Sequence, residues 1–148
     1  MEADIVTKEE TAATLTEIFP EKAAALAQHY VDYNGLLLGH IFFADEINAP
    51  LLSLLQTNRN RKAIQQYCFF IEKMYYDGDE DVKNVVEVTI LEQLSDEEKI
   101  WFRFGAYLSN EFIREINTVI IPRNTMLPNV PLAYHSHRKW KKFGKIDG

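Results

Sequence analysis

Asp77-Gly78-Asp79-Glu80-Asp81 is a stretch of this 148-residue chain whose side-chain types and spacing could do chemistry. Alternating aspartates at 77, 79 and 81 match the opening of an EF-hand loop. Such a loop also needs glycine at its sixth position and a bidentate glutamate at its twelfth, where this chain has Val82 and Val88. The segment therefore reads as a turn running into a helix N-terminus, where carboxylates complement the partial positive charge of unbonded amides. It also reads as an exposed acidic patch open to a partner. His40 lies near Asp45 and Glu46 in sequence, the ingredients of a general base oriented by a carboxylate. No motif marks a serine or cysteine nucleophile beside it, so a structural, hydrogen-bonded histidine is the expectation. His29 is expected on an ordinary helix surface. His135-Ser136-His137 offers two imidazoles and no neighbouring cysteine, short of a four-ligand zinc set. Cys68, the single cysteine, sits between Tyr67 and Phe69 on an apolar stripe, where burial makes a thiol inert. The six glycines are scattered and form no phosphate-cradling loop. No catalytic residue, metal or cofactor is expected, and the chain is read as not an enzyme.

The elements that would position these groups read as helices. Thr7-Lys8-Glu9-Glu10 has the form of a capping box, followed by Ala12, Leu15, Ile18 and Phe19 at helical spacing. Pro20 suits the first turn of a second helix, with Leu26, Tyr30 and Tyr33 on one face and Asn34-Gly35 as its stop. Residues 36–43 are nearly all apolar and read as a buried short helix or irregular segment. Pro50 opens another helical stretch. Ile64, Tyr67, Cys68, Ile71, Met74 and Tyr75 form a stripe at the 3.6-residue period, which Phe69, Phe70 and Tyr76 widen. Residues 82–91 are rich in β-branched side chains that suit a strand. Val82, Val86 and Ile90, after the acidic run, suit a helix, and helix is the reading adopted. Ser95-Asp96-Glu97-Glu98 is a second capping-box pattern, ahead of Trp101, Phe104, Leu108, Phe112, Ile113 and Ile116. After Asn117, Thr118 to Ile121 read as a short strand or extended segment, and Pro122, Pro128 and Pro131 bar a continuous helix.

Composition sets the class. The chain is 47% hydrophobic and 26% charged, ordinary for a globular protein of one domain. No apolar run reaches the ~18 residues of a membrane span. The start Met1-Glu2-Ala3-Asp4 lacks a signal-peptide pattern, and the lone cysteine fits a reducing compartment, so a cytoplasmic location is expected. Net charge is −6 and unevenly placed: residues 1–137 hold 11 Lys+Arg against 21 Asp+Glu. The tail carries Arg138, Lys139, Lys141, Lys142 and Lys145 against Asp147. An acidic body repels nucleic-acid phosphate and steers basic partners. Arg138 to Phe143 interleaves basic and aromatic residues, as nucleic-acid or membrane binders do. The acidic body opposes both uses, so neither nucleic acid nor membrane is an expected partner.

Tyr33-Asn34-Gly35-Leu36-Leu37-Leu38-Gly39-His40-Ile41-Phe42-Phe43, Phe70-Ile71-Glu72-Lys73-Met74 and the run from Asp79 to Leu94 resemble a family of small, acidic, helical bacterial domains of uncharacterised function. Members of that kind are similar to the immunity proteins encoded beside secreted polymorphic toxins. The resemblance spans roughly residues 8–117, brings no catalytic residues, and implies helix over 82–91. The expected fold is an all-α, antiparallel multi-helix bundle, with a HEAT-like arrangement as its variant. Residues 1–117 form its acidic helical domain, and residues 118–148 an extended, proline-containing segment with a basic tail. The expected function is protein binding, most concretely neutralisation of a basic toxin. The alternatives are a helical adaptor or regulator, and a small hydrolase using His40 or the tail histidines. Candidate contact residues are Tyr75, Tyr76, Asp77, Asp79, Glu80 and Asp81, then Asp45 and Glu46. Tyr75 continues the apolar stripe and has a core role as its alternative.

Overall fold

Thr7 and Glu10 form the expected capping box: the Thr7 hydroxyl accepts from the Glu10 amide at 3.1 Å, and Glu10 accepts from the Thr7 amide at 3.1 Å. The computed structural model describes residues 5–123, an all-α bundle of seven helices. Helix α1 is Lys8–Ile18, and a 3-10 turn (Pro20–Lys22) leads into α2 (Ala23–Asp32). Asn34 and Gly35 take positive φ, 56° and 81°, and reverse the chain as the sequence suggests. Helix α3 covers residues 39–57, α4 is Arg61–Asp77, α5 covers 80–94, α6 is Glu98–Ala106 and α7 covers 110–123. Residues 82–91 are helical. The tail groups, His135, His137 and Arg138 to Phe143 among them, lie outside the described residues.

Three of these helices contain a π-helical turn: Ala44–Asn48 in α3, Val86–Leu91 in α5 and Ile116–Ile120 in α7. Their buried residues explain why. They recur every four residues: Phe43, Ile47, Leu51 and Leu55 in α3; Val82, Val86, Ile90 and Leu94 in α5; Phe112, Ile116 and Ile120 in α7. A four-residue step in an α-helix overshoots a full turn by ~40°, so three steps would carry the stripe ~120° away from the core. A wider i→i+5 turn takes that drift back. Helix α4 mixes steps of three and four (Ile64, Cys68, Ile71, Tyr75, all buried) and stays α-helical throughout.

The π turns also bear on two expectations. Pro50 stands in the first turn of the α-helical stretch Ala49–Thr57, as expected, and that stretch runs on from the first π turn inside continuous α3. Pro122 stands two residues beyond the third π turn, so residues 118–123 are helical rather than extended, and the helical body continues past 117 to Arg123. A proline kinks an unbroken i→i+4 ladder, but these ladders are already interrupted, and such interruptions absorb the distortion. Ser95 does not cap α6. Its φ and ψ are −81° and −6°, not the extended backbone of an N-cap, and its hydroxyl donates to Glu92 O at 2.8 Å, closing α5. Within 36–43, Leu37, Phe42 and Phe43 are buried while Leu36 and Ile41 are exposed, so that segment is only partly core.

Val6 ties the N-terminal segment to the α4–α5 turn. Its amide donates to Asp77 O at 3.0 Å and its carbonyl accepts from the Asp79 amide at 2.9 Å. Gly78 lies between these bonds. A Cβ on Gly78 would overlap the Met74 carbonyl oxygen and the Val82 side chain. Gly78→Ala is therefore expected to cost about 1–3 kcal/mol by overpacking, read from the urea midpoint; an unchanged midpoint would show that the turn relaxes freely.

Candidate functional site

The proposed acidic patch is divided by the structure. Asp79 is the N-cap of α5, its side chain accepting from the Val82 amide at 3.0 Å. The run 77–81 is thus a turn and helix start. Asp77 is exposed and pairs with Lys73 at 3.5 Å, and Glu80 and Asp81 are exposed on the first turn. Glu46 faces inward: Lys22 Nζ lies 3.5 Å from it, with the largely buried ammonium 5.6 Å from the Phe19 ring centre and 5.4 Å from that of Tyr67. Its charge serves the interior, and Asp45 stays exposed beside it. Tyr75 is buried, as its place in the stripe allows, whereas Tyr76 is 41% exposed. Phe69, read as part of the widened stripe, is 66% exposed on the same helix.

Tyr75 and Glu80 instead meet in a polar cleft of about 510 Å³ lined also by Lys83, Asn84, Glu87, Glu115, Val119 and Arg123. Helix α5 supplies residues 80, 83, 84 and 87, one helical face. Helix α7 supplies 115, 119 and 123, which its π turn keeps in register. The Tyr75 hydroxyl donates to Glu115 Oε2 at 2.7 Å. Arg123 donates bidentately to Glu87, Nε to Oε1 at 2.9 Å and Nη2 to Oε2 at 2.8 Å, and reaches the Tyr75 oxygen at 3.4 Å. Lys83 Nζ stands 5.8 Å from the Tyr75 ring centre. Glu72 of α4 anchors α7 by accepting from the Ser109 amide at 3.0 Å, while Ser109 caps that helix through the Phe112 amide.

Burial, and then the hydrogen bond to Glu115, raises the Tyr75 phenol well above its ordinary range. Tyr76 is pushed up to about 12, by burial first and then by the charges of Glu111, Glu115 and Glu72. Arg123 is held still more firmly protonated by its bonds to Glu87. A phenol raised in the folded chain stays neutral while the unfolded chain ionises near pH ~10, so this contribution to stability is lost as pH rises above that point. Titration of phenolate absorbance is expected to show a step near 12 that Tyr76→Phe removes. Full ionisation of every tyrosine near pH ~10 would contradict this placement.

The other sequence candidates find structural partners. His40 is exposed, and its Nδ1 lies 2.6 Å from Thr89 Oγ1 and its Nε2 3.3 Å from Asn84 Nδ2, both on α5. The carboxylates of Asp45 and Glu46 do not orient it. His29 is buried rather than on the surface: its Nε2 accepts from the Leu38 amide at 3.0 Å, and its ring packs near Tyr33 and Phe42. Cys68 is buried, and burial raises its thiol well above the usual value, with the Glu72 charge adding to the effect. Among the described residues, no helix is long and apolar enough to cross a membrane.

Sequence reasoning named two of the eight cleft residues, Tyr75 and Glu80. It missed Val119 and Arg123 because it ended α7 at 117, and it missed Lys83, Asn84, Glu87 and Glu115 because nothing along the chain brings their two helices together. The four-residue spacing of 115, 119 and 123 was the available signal. No match exists among curated proteins or solved structures. A family model, Domain of unknown function (DUF7674), matches residues 12–121, covering every helix named here in whole or large part. The chain belongs to that family.

Proposed function

We propose that this chain is a non-enzymatic protein-binding domain, an immunity-type protein of bacterial origin that neutralises a cognate toxin in the cytoplasm. The observation that supports it best is the charged cleft of Tyr75, Glu80, Lys83, Glu87, Glu115 and Arg123, with the partly exposed ring of Tyr76 packed against Tyr75. Interfaces combine aromatic anchors with a polar rim, and an acidic face speeds encounter with a basic surface. Its mode of action would be to cover the toxin's active site.

The test is capture on tagged full-length chain at low and high salt, followed by expression of each captured protein alone and together with this chain. Relief of growth arrest by the chain supports the reading. Glu80→Lys with Asp81→Lys should slow association at low salt and lessen its salt dependence. Asp79 is left out of that pair because its loss would uncap α5. A captured protein that is harmless alone would favour an adaptor. Capture of nothing at either salt would end the immunity reading.

A further inference from the structure

Two of the π turns pack against each other, Ala44–Asn48 in α3 and Val86–Leu91 in α5. Apolar burial does not fix where the second one sits. The stripe Val82, Val86, Ile90 and Leu94 keeps the same step of four throughout, so the surplus residue can be accommodated at more than one point along it. One polar side chain breaks that degeneracy. Asn48 is 1% exposed and closes the first π turn. Its Nδ2 donates to the Thr89 carbonyl at 3.1 Å and to Gln93 Oε1 at 2.6 Å. A carbonyl only accepts, which sets the orientation of the amide. The bond adds little stability: the Thr89 carbonyl also accepts from the Glu92 amide, Gln93 is exposed, and Asn48 Oδ1 meets no donor among the described residues. What it specifies is position, because it singles out one carbonyl of α5. His40 reaches the same residue through its hydroxyl, with Nδ1 at 2.6 Å from Oγ1. Threonine in a helix has two χ1 rotamers, and the His40 ring is at the surface, so that bond can follow a moving backbone where the carbonyl bond cannot.

We propose that Asn48 is the register-setting residue of α5: its bond to the Thr89 carbonyl selects one position of the π turn among those the apolar stripe allows. A buried asparagine does the same between the helices of a coiled coil, where it costs stability and fixes register. The choice reaches the cleft. Glu80, Lys83, Asn84 and Glu87 line it from α5, and one residue of displacement along a helix is ~100° of rotation. Where the surplus residue sits therefore decides how this wall is turned relative to the rest of α5. Glu87 is held by Arg123 and by more than that pair, but through a side chain long enough to follow its backbone. Lys83 lies ahead of the π turn, over the Tyr75 ring.

The test is a proton–nitrogen correlation spectrum of the full chain and its variants, each with a urea titration. Leucine copies the branching of asparagine at Cγ and removes both donors. Asn48→Leu is expected to unfold cooperatively at a midpoint close to that of the parent chain, while the amide signals of residues 84–94 split into two or more sets. Ile47→Val, at the neighbouring buried position, removes a methylene and no donor. It should lower the midpoint and keep one set of signals. Asn48→Ala gives the same reading should leucine be too large for the site. A single set of signals in a folded Asn48 variant would overturn the proposal, because the apolar stripe would then suffice to place the turn. Splitting in Ile47→Val as well as in Asn48→Leu would also overturn it, since loosened packing alone would account for both.

Discussion

Replacing Arg103 by methionine is expected to lower the unfolding free energy by about 2–5 kcal/mol, the scale of leaving two buried carbonyl oxygens without donors. Arg103 is 1% exposed, the bulkiest of the fully buried side chains. Its Nη1 donates to the carbonyl oxygens of Leu55 and Gln56, both at 2.7 Å. Those carbonyls belong to the last turn of α3, where a helix has no amide donors of its own left to bond them. Asn58 then reverses the chain at φ 55°, and Tyr107, one turn after Arg103, donates its hydroxyl to Asn58 Oδ1 at 2.5 Å. Side chains from α6 thus close the end of α3. Methionine keeps most of the length and removes the donors, so the loss measures hydrogen bonding rather than a cavity. Urea unfolding with an unchanged m-value reads it. A loss below about 1 kcal/mol, the net worth of one ordinary hydrogen bond, would show that solvent or the backbone replaces the arginine at no cost.

Phe112→Ala is expected to cost a similar amount, about 3–5 kcal/mol, as a large core side chain is replaced by a cavity. Phe112 is fully buried, and its ring centre lies 5.5 Å from that of Tyr75 and 6.0 Å from that of Tyr76. Its effect should therefore reach the cleft. Burial is the largest cause of the raised Tyr76 phenol, so the step near 12 is expected to move toward the ordinary tyrosine range in the variant. The same titration in Ile64→Ala, a core change on α4 away from the cleft lining, should leave that step in place. Destabilisation of Phe112→Ala without movement of the Tyr76 step would mean that the rings do not form one packed unit.

Most of the fold is readable from local pattern. The Thr7 box, the Asn34-Gly35 stop and the α4 stripe each rest on residues within a turn or two of one another. The cleft is not local. Tyr75, Glu87 and Glu115 come from three helices, and no spacing along the chain announces that a phenol on one meets a carboxylate on another. Pro122 reads as a bar to a continuous helix by the rule for α-helices, and that rule does not cover a helix whose bonding ladder has already changed. His29 reads as surface because Phe42, which covers its ring, lies on the next helix. The partner that fixes it, the Leu38 amide, is nine residues away. Glu46 likewise looked available to a partner until Lys22, from a different part of the chain, was seen to hold it.

A π turn contains one residue more than an α-helix would need to join the same two faces. Loss of a residue from the middle of a packed helix normally rotates everything downstream by ~100° and wrecks the core. Among the described residues there are three places where the reverse should hold. Removing Val88, which is 40% exposed within the second π turn, would bring the buried positions of α5 to steps of three and four and let the helix close as plain α. The shortened chain should keep its helical signal and cooperative unfolding, whereas removal of Cys68 from α4 should abolish both. Length variation inside these three helices, not only in the turns between them, is therefore compatible with one and the same core.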